Sequence, residues 1–357
     1  MQAIDKNKFD IHSAQWLALL RLGLARLPHA LLITGAPGLG KRQFAEQLVN
    51  LLLCERVDAT NPTPTSCGEC PGCRWLSADS HPDVRYVSPE SDDADEDDTD
   101  ATSVTDKTPE KIVSPTTKAK AKKRTRASIK VAAIRELEDF VFIGSHRQGR
   151  RVILITDADA MNNIATNALL KILEEPPATV YFILITANKD RLLPTLRSRC
   201  RQLAFTRPSV EAATLTLREL GVPKGSEALL SLAGGAPLQV QRWHQTEKID
   251  GLKALLKTFQ QAGNNPLALA ARWDELLKKD DHLKMEFLIE AVQRWVVDEA
   301  LASAVRLNAA TFAGWRGLLQ CRRAANHPLN QLLFLEEIAT HAMRATGKLA
   351  SPRQVAE

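Results

Sequence analysis

The stretch His29-Ala-Leu-Leu-Ile-Thr-Gly35-Ala-Pro-Gly38-Leu-Gly40-Lys41-Arg42 sets the architecture. Its first six residues are a short apolar run, the mark of a buried strand. A glycine-rich loop follows, and Phe44 to Leu53 reads as a helix. Strand, loop and helix in this order give the context of the G-x-x-x-x-G-K-[ST] pattern. Gly35, Gly38 and Gly40 let backbone N–H groups turn inward to cradle phosphates, and Lys41 reaches the outer ones. The match stops at Arg42, where the pattern needs a serine or threonine for Mg²⁺.

Further along, Arg151-Val-Ile-Leu-Ile155 and Val180-Tyr-Phe-Ile-Leu-Ile185 read as two more buried strands. Between them Ala165 to Leu173 reads as a helix stopped by Pro176-Pro177. Strands alternating with helices predict a parallel α/β sheet. In a nucleotide hydrolase the strand ending at Ile155 would close on an acidic pair, one acid orienting Mg²⁺ and the next polarising water. The residues are Thr156-Asp157-Ala158-Asp159. In one register Thr156 replaces the metal-orienting acid; in the other Ala158 replaces its neighbour. Neither register supplies both acids, so hydrolysis of ATP is not expected. Two readings stay open for the loop: it keeps its turn without nucleotide, or it binds nucleotide weakly.

Cys67-Gly-Glu-Cys70-Pro-Gly-Cys73, with Cys54 upstream, makes a tight cysteine cluster. Tetrahedral Zn²⁺ takes four soft ligands, and C-x₂-C turns bring two thiolates to one ion. Gly68 and Gly72 suit such turns. In a reducing compartment this spacing predicts structural zinc held by Cys54, Cys67, Cys70 and Cys73. With all four positions taken by protein, none is open for catalysis. His81 is nearby but is not needed as a ligand. Cys200 and Cys321 stand isolated in sequence and read as buried thiols.

Residues 88–128 differ from the rest. Glu90 to Asp100 is nearly all acidic, Lys118 to Arg126 mostly basic, with Ser, Thr and Pro between. Such a segment buries too little apolar area to offset its ordering entropy and reads as a disordered insertion. Val131, Ile134, Leu137 and Val141 then fit one helical face. Strand signals end after Phe205. Residues 206–247 read as a small helical unit. Beyond about 250, apolar residues recur at helical spacing, with Leu283, Phe287, Ala291 and Trp295 on one core stripe.

At 357 residues the chain suits two or three domains. Hydrophobic content of 44% and charged content of 25% fit a soluble globular protein. No apolar run reaches the ~20 residues that span a bilayer. The charged Met1 to Asp10 start has no apolar signal core, so a cytoplasmic location is expected. The net charge of +5 selects no partner.

His29 to Lys41, the cysteine cluster and His81-Pro-Asp83 occur in the order found in bacterial clamp-loader subunits of the AAA+ class. Asn167-Ala-Leu-Leu-Lys-Ile-Leu-Glu-Glu-Pro-Pro177 closely resembles their signature after the second strand. Leu196-Arg-Ser-Arg-Cys200 is similar to their Ser-Arg-Cys motif. These residues cover most of 29–203, and the last two motifs are highly specific. Within the family the chain resembles the non-motor delta-prime branch more than the ATP-hydrolysing gamma/tau branch. Thr156-Asp157-Ala158 and Arg42 are two reasons. The third is Gly234-Gly-Ala-Pro237, which stands where a motor's lid offers an arginine to the nucleotide.

The resemblance implies a RecA-like AAA+ domain over 1–205 carrying the zinc module at 54–73, a helical lid over 206–247 and an all-α collar over 248–357. It also implies that Arg199 serves as an arginine finger in trans, presented to ATP in a neighbouring subunit. Arg197, on an extended segment, would share the face of Arg199. The implied partners are gamma/tau and delta subunits and, through the complex, the sliding clamp and primed DNA; no membrane is involved. Two other functions compete: an ATP-hydrolysing gamma/tau-type subunit, and a zinc-containing nucleic-acid-binding protein on an AAA+ scaffold.

Overall fold

The computed structural model describes residues 12–21, 23, 26–57, 64–90, 127–142, 149–261, 263–280, 283–302, 308–325 and 330–348. Among the described residues five strands form one sheet: β1 (Ala30–Thr34), β2 (Val84–Val87), β3 (Arg151–Ile155), β4 (Val180–Thr186) and β5 (Arg201–Ala204). Their order across the sheet is β2-β3-β4-β1-β5. β1 runs parallel to β4, β4 to β3 and β3 to β2. The three central strands are the ones whose apolar runs are legible in the sequence. β2 and β5 are edge strands of four residues each, too short and too polar to stand out.

The first helices are α1 (Ser13–Leu20), α2 (Lys41–Leu53), α3 (Pro71–Ser77), α4 (Val131–Phe142), α5 (Asn163–Glu174) and α6 (Pro194–Arg199). α2 begins at Lys41, three residues before the helix expected from Phe44. After β5 the described residues form α7 (Val210–Glu219), α8 (Leu229–Leu232), α9 (Pro237–Gln245), α10 (Ile249–Gln260), α11 (Pro266–Lys279), α12 (Met285–Ala302) and α13 (Ala309–Ala324). The last is α14 (Gln331–Ala345). The α/β class and the all-helical C-terminal half are as expected.

Two compact units divide the chain. One holds Leu24–Thr34 and Ala45–Leu203; the other holds Met1–Gly23, Gly35–Phe44 and Ala204–Glu357. In the sheet unit, side chains alternate across each strand. Leu32, Ile153, Ile155, Phe182 and Leu184 pack with Ile134 and Leu137 of α4 and Leu169 and Ile172 of α5. Their neighbours Leu31, Ile33, Leu154 and Ile183 are buried as well, so these strands are covered on both faces. In the helical unit, one apolar cluster runs from Ala213 to Ala345 and includes Trp273, Trp295 and Phe334. Leu283, Ala291 and Trp295 are buried in that unit, and Phe287 packs partly buried against its core.

Two residues within the stretch expected as an insertion over 88–128 are described and paired. Glu90 and Ser128 exchange two backbone hydrogen bonds, Glu90 N–H to Ser128 O at 3.1 Å and Ser128 N–H to Glu90 O at 3.2 Å. Glu90 and Ser128 thus form one antiparallel bridge. Residues 91–126 lie outside the described residues.

A buried ion pair fastens β3 to the turn before β2. The Arg151 guanidinium lies 3.6 Å from Asp83 Oδ1, with both side chains at most 3% exposed. Arg151 also donates to the Phe140 carbonyl and stacks 4.9 Å from the Phe140 ring centroid. Removing one partner of such a pair leaves a desolvated charge and costs about 3–5 kcal/mol. Asp83→Ala should therefore strip hydrogen-exchange protection from the β2 and β3 amides. Unchanged protection there would show that the pair contributes nothing net.

Candidate functional site

The carboxyl ends of β1 and β4 lie in register, Thr34 opposite Thr186, and Ile155 of β3 lies opposite Leu184 of β4. Ligands of open α/β sheets bind beyond this edge. The glycine loop leaves β1 here. Gly38 and Gly40 have φ of +77° and +81°, a region costly for other residues. A side chain at either would also collide: a Cβ on Gly38 would stand 2.6 Å from Gln239 Cβ, and one on Gly40 2.5 Å from His12 Nε2. Helix α9 and the residue before α1 therefore pack directly on the loop. His12, Trp16, Phe44 and Phe205 form an aromatic cluster beneath it, with ring centroids 4.5–6.3 Å apart.

Lys41 does not point outward. It is buried, and its Nζ donates to the carbonyls of Gly35 at 2.6 Å and Ala36 at 2.7 Å. A phosphate would have to compete with those carbonyls for the ammonium. Arg42 follows as the second residue of α2, where a magnesium-binding hydroxyl would stand.

At the end of β3, Thr156 is tied to β2: its N–H donates to Val87 O at 2.9 Å and its hydroxyl to the same carbonyl at 3.3 Å. Asp157 has φ +50°, a left-handed conformation that aspartate tolerates better than most residues. Asp159 accepts the Thr186 hydroxyl at 2.7 Å, and that hydroxyl oxygen accepts the Asn188 N–H at 3.0 Å. The Asp159–Thr186 contact is not legible in the sequence, because it joins the ends of two strands. It commits the acid nearest the strand end after Asp157 to a structural bond.

The four cysteines converge. Their sulfurs all lie within 4.8 Å of one another. Cys54 Sγ is 4.0 Å from Cys70 Sγ, and Cys67 Sγ is 3.9 Å from Cys73 Sγ. Four thiolates about 2.3 Å from one ion would sit about 3.8 Å apart, so the donor set and its spacing fit a tetrahedral metal. Backbone N–H groups point at the sulfurs: Cys67 N–H to Cys54 Sγ at 3.3 Å and Cys70 N–H to Cys67 Sγ at 3.3 Å. The N–H groups of Glu69 and then Cys70 draw the Cys67 thiol down to about 6, while burial pushes the thiols of Cys73 and Cys54 up.

Gly68 has the positive φ expected of a turn glycine, +77°. Gly72 does not. It lies inside α3, and its lack of a Cβ is what lets Leu53 O approach; a Cβ there would stand 2.5 Å away. His81 supports the module without joining it. Its Nδ1 accepts the Asp83 N–H at 3.1 Å, and its ring meets the edge of Trp75 at 5.7 Å.

Arg199 ends α6. Its Nη2 lies 2.7 Å from Glu174 Oε1, and its Nη1 donates to Thr195 O at 3.3 Å. Its side chain is 37% exposed. The segment is helical, not extended, so Arg197 and Arg199 do not share a face; Arg197 instead lies 3.6 Å from Asp190. Pro194 at the first helical position explains the difference, since its fixed φ starts a helix. Cys200, just after, is buried, and burial raises its thiol to about 11.

Two details of the helical unit are not legible in the sequence. Cys321 is buried as expected but not isolated in space, because Glu337 and His341 present possible ligand atoms within 4.8 Å of it and each other. The Gly234-Gly235 turn carries no arginine of its own, yet Arg294 and Arg207 lie against it. A Cβ on Gly234 would stand 2.6 Å from Arg294 Nη1. Among the described residues, no helix is long and apolar enough to cross a membrane.

The family described as "DNA polymerase III, delta subunit" matches residues 20–209. A Pseudomonas aeruginosa protein named DNA polymerase III subunit delta' is 36% identical over 257 residues, which cover 69% of the chain and 66% of that protein. Its Escherichia coli namesake is 32% identical over 212 residues, covering 58% and 52%. DNA polymerase III subunit tau of Salmonella typhimurium is 33% identical over 190 residues, covering 53% and 23%. The chain thus spans about half to two thirds of the length of the delta' relatives it matches.

Proposed function

The chain belongs to the delta-prime family of DNA polymerase III subunits, and from that premise we propose that it is a non-motor member of a bacterial clamp loader. In this reading the assembled complex, with gamma/tau and delta subunits, loads the sliding clamp onto primed DNA in the cytoplasm. The chain spends no ATP of its own. It completes a neighbour's ATP site with Arg199.

The observation that carries the reading is the contrast between two sites on one chain. Its own phosphate loop lacks the Mg²⁺ hydroxyl, has Lys41 turned onto loop carbonyls and lacks the acidic pair. Arg199, by contrast, presents a partly exposed guanidinium from the end of α6. Phosphoryl transfer needs little covalent help from protein but much charge stabilisation, and an arginine supplied in trans gives it. We place the division of labour at 1–205 for the sheet domain, 206–247 for the lid and 248–357 for the collar.

Cys54, Cys67, Cys70 and Cys73 would hold one Zn²⁺. When bound, it supplies a cross-link between the end of α2 and the start of α3, with no position left open for chemistry.

The purified chain should hydrolyse no ATP above background, because both halves of the Mg²⁺ site are incomplete. Turnover in the range of AAA+ motors, abolished by Lys41→Ala, would instead favour the gamma/tau-type reading.

A further inference from the structure

We infer that Glu174 is a positioning residue for Arg199: it holds the guanidinium in the orientation in which a neighbour's phosphoryl group meets it. The inference rests on the in-trans reading of Arg199. Glu174 is the last residue of α5, and Pro176-Pro177 prevent that helix from running on. The helix is anchored at its other end by the Asn162 cap, which accepts the Ala165 N–H at 2.8 Å. It is anchored along its length by buried Leu169, Ile172 and Leu173. The carboxylate thus projects from a fixed point.

Arg199 is fixed likewise. Its backbone lies between buried Leu196 and buried Cys200. Its long side chain would otherwise sample many rotamers, and two bonds select one: Nη2 to Glu174 Oε1 at 2.7 Å and Nη1 to Thr195 O at 3.3 Å. A guanidinium has five N–H donors. These bonds use two and leave donors for the oxygens of a phosphoryl group.

Stability does not account for the pair. The side chains are 37% and 53% exposed, and exposed ion pairs contribute little to folding because water and salt screen them. What such a pair does supply is orientation, and a misplaced catalytic group is costly even when present.

The test is a double-mutant cycle in the reconstituted clamp loader, read as clamp- and primed-DNA-stimulated ATPase. Glu174→Ala should lower the kcat contributed by the site that Arg199 completes about fivefold, on the scale of one lost orienting bond. KM for ATP and complex assembly should stay unchanged, because the nucleotide is bound by the neighbour. Glu174→Gln keeps an oxygen for Nη2 and should restore most of the rate. Combined with Arg199→Ala, Glu174→Ala should add no further loss.

Wild-type kcat in Glu174→Ala, or an equal loss in the Arg199→Ala background, overturns the inference while the finger reading stands. Wild-type turnover in Arg199→Ala sinks both. Should the alanine chain fail to assemble, Glu174→Asp carries the same cycle, since it withdraws the carboxylate by one methylene and keeps the charge.

Discussion

Cys70→Ser should strip the metal from the chain while leaving the sheet in place. The wild-type protein should contain about one zinc ion by elemental analysis, and the variant should lose it. Serine is chosen because Cys70 has two roles. It is one of four converging sulfurs, and it is the N-cap of α3, where its sulfur accepts the Cys73 N–H at 3.4 Å. Serine is among the best N-caps, so the helix keeps its cap and only the soft ligand is lost. Zinc sites of this kind contribute about 10–16 kcal/mol of apparent binding free energy in zinc-finger peptides. Burial of Leu76, the large apolar side chain α3 contributes to the core, contributes about 2–3 kcal/mol. A zinc ion held there would therefore outweigh local packing between Cys54 and Ser77. That segment should become protease-sensitive in the variant, whereas amides of Leu32 and Leu154, buried in the central strands, should keep their protection. A chelator applied to the wild-type chain should reproduce the change. Full zinc occupancy in Cys70→Ser would rule the assignment out.

The cysteine module was legible because its signal is local: three of four sulfurs fall within seven residues of sequence. The central strands were legible for a similar reason. Ala30–Thr34, Arg151–Ile155 and Val180–Thr186 are covered on both faces and so nearly continuous in apolar residues. Edge strands carry no such signal. Val84-Arg-Tyr-Val87 buries only its two ends, and Arg201-Gln-Leu-Ala204 buries none of its side chains fully. α6 is too short for a helical period to show, and only Pro194 hints at it. Contacts between distant positions were invisible for a different reason. Asp83 with Arg151, Asp159 with Thr186 and Glu174 with Arg199 each join residues that only the sheet's topology brings together. Gly72 shows the limit from the other side. Its place in the cluster suggests turn freedom, but what it serves is the approach of Leu53 O.

Arg199→Ala should leave folding, zinc content and complex assembly intact while lowering clamp- and DNA-stimulated ATPase and clamp loading. Folding should survive because the lost contacts are an exposed ion pair with Glu174, for which about 0–1 kcal/mol is typical, and one exposed hydrogen bond to Thr195 O. Catalysis at the one site that Arg199 is proposed to complete should fall by ~10³ or more, the scale of an arginine supplied in trans to a GTPase. A clamp loader has several ATP sites, so total turnover should fall only by that site's share. Loading should fall further where the sites fire in sequence, since one stalled site then holds up the rest. Arg197→Ala is the internal control. It removes an equal charge two residues away, but α6 turns that side chain elsewhere, toward Asp190 at 3.6 Å. Its complexes should hydrolyse ATP and load clamps at the wild-type rate. Arg199→Lys separates charge from shape. Lysine keeps the positive charge but loses the planar fork that meets Glu174 and a phosphoryl oxygen together, so it should recover only part of the rate. Wild-type loading by assembled Arg199→Ala complexes would make the arginine structural, and the in-trans mechanism would be wrong.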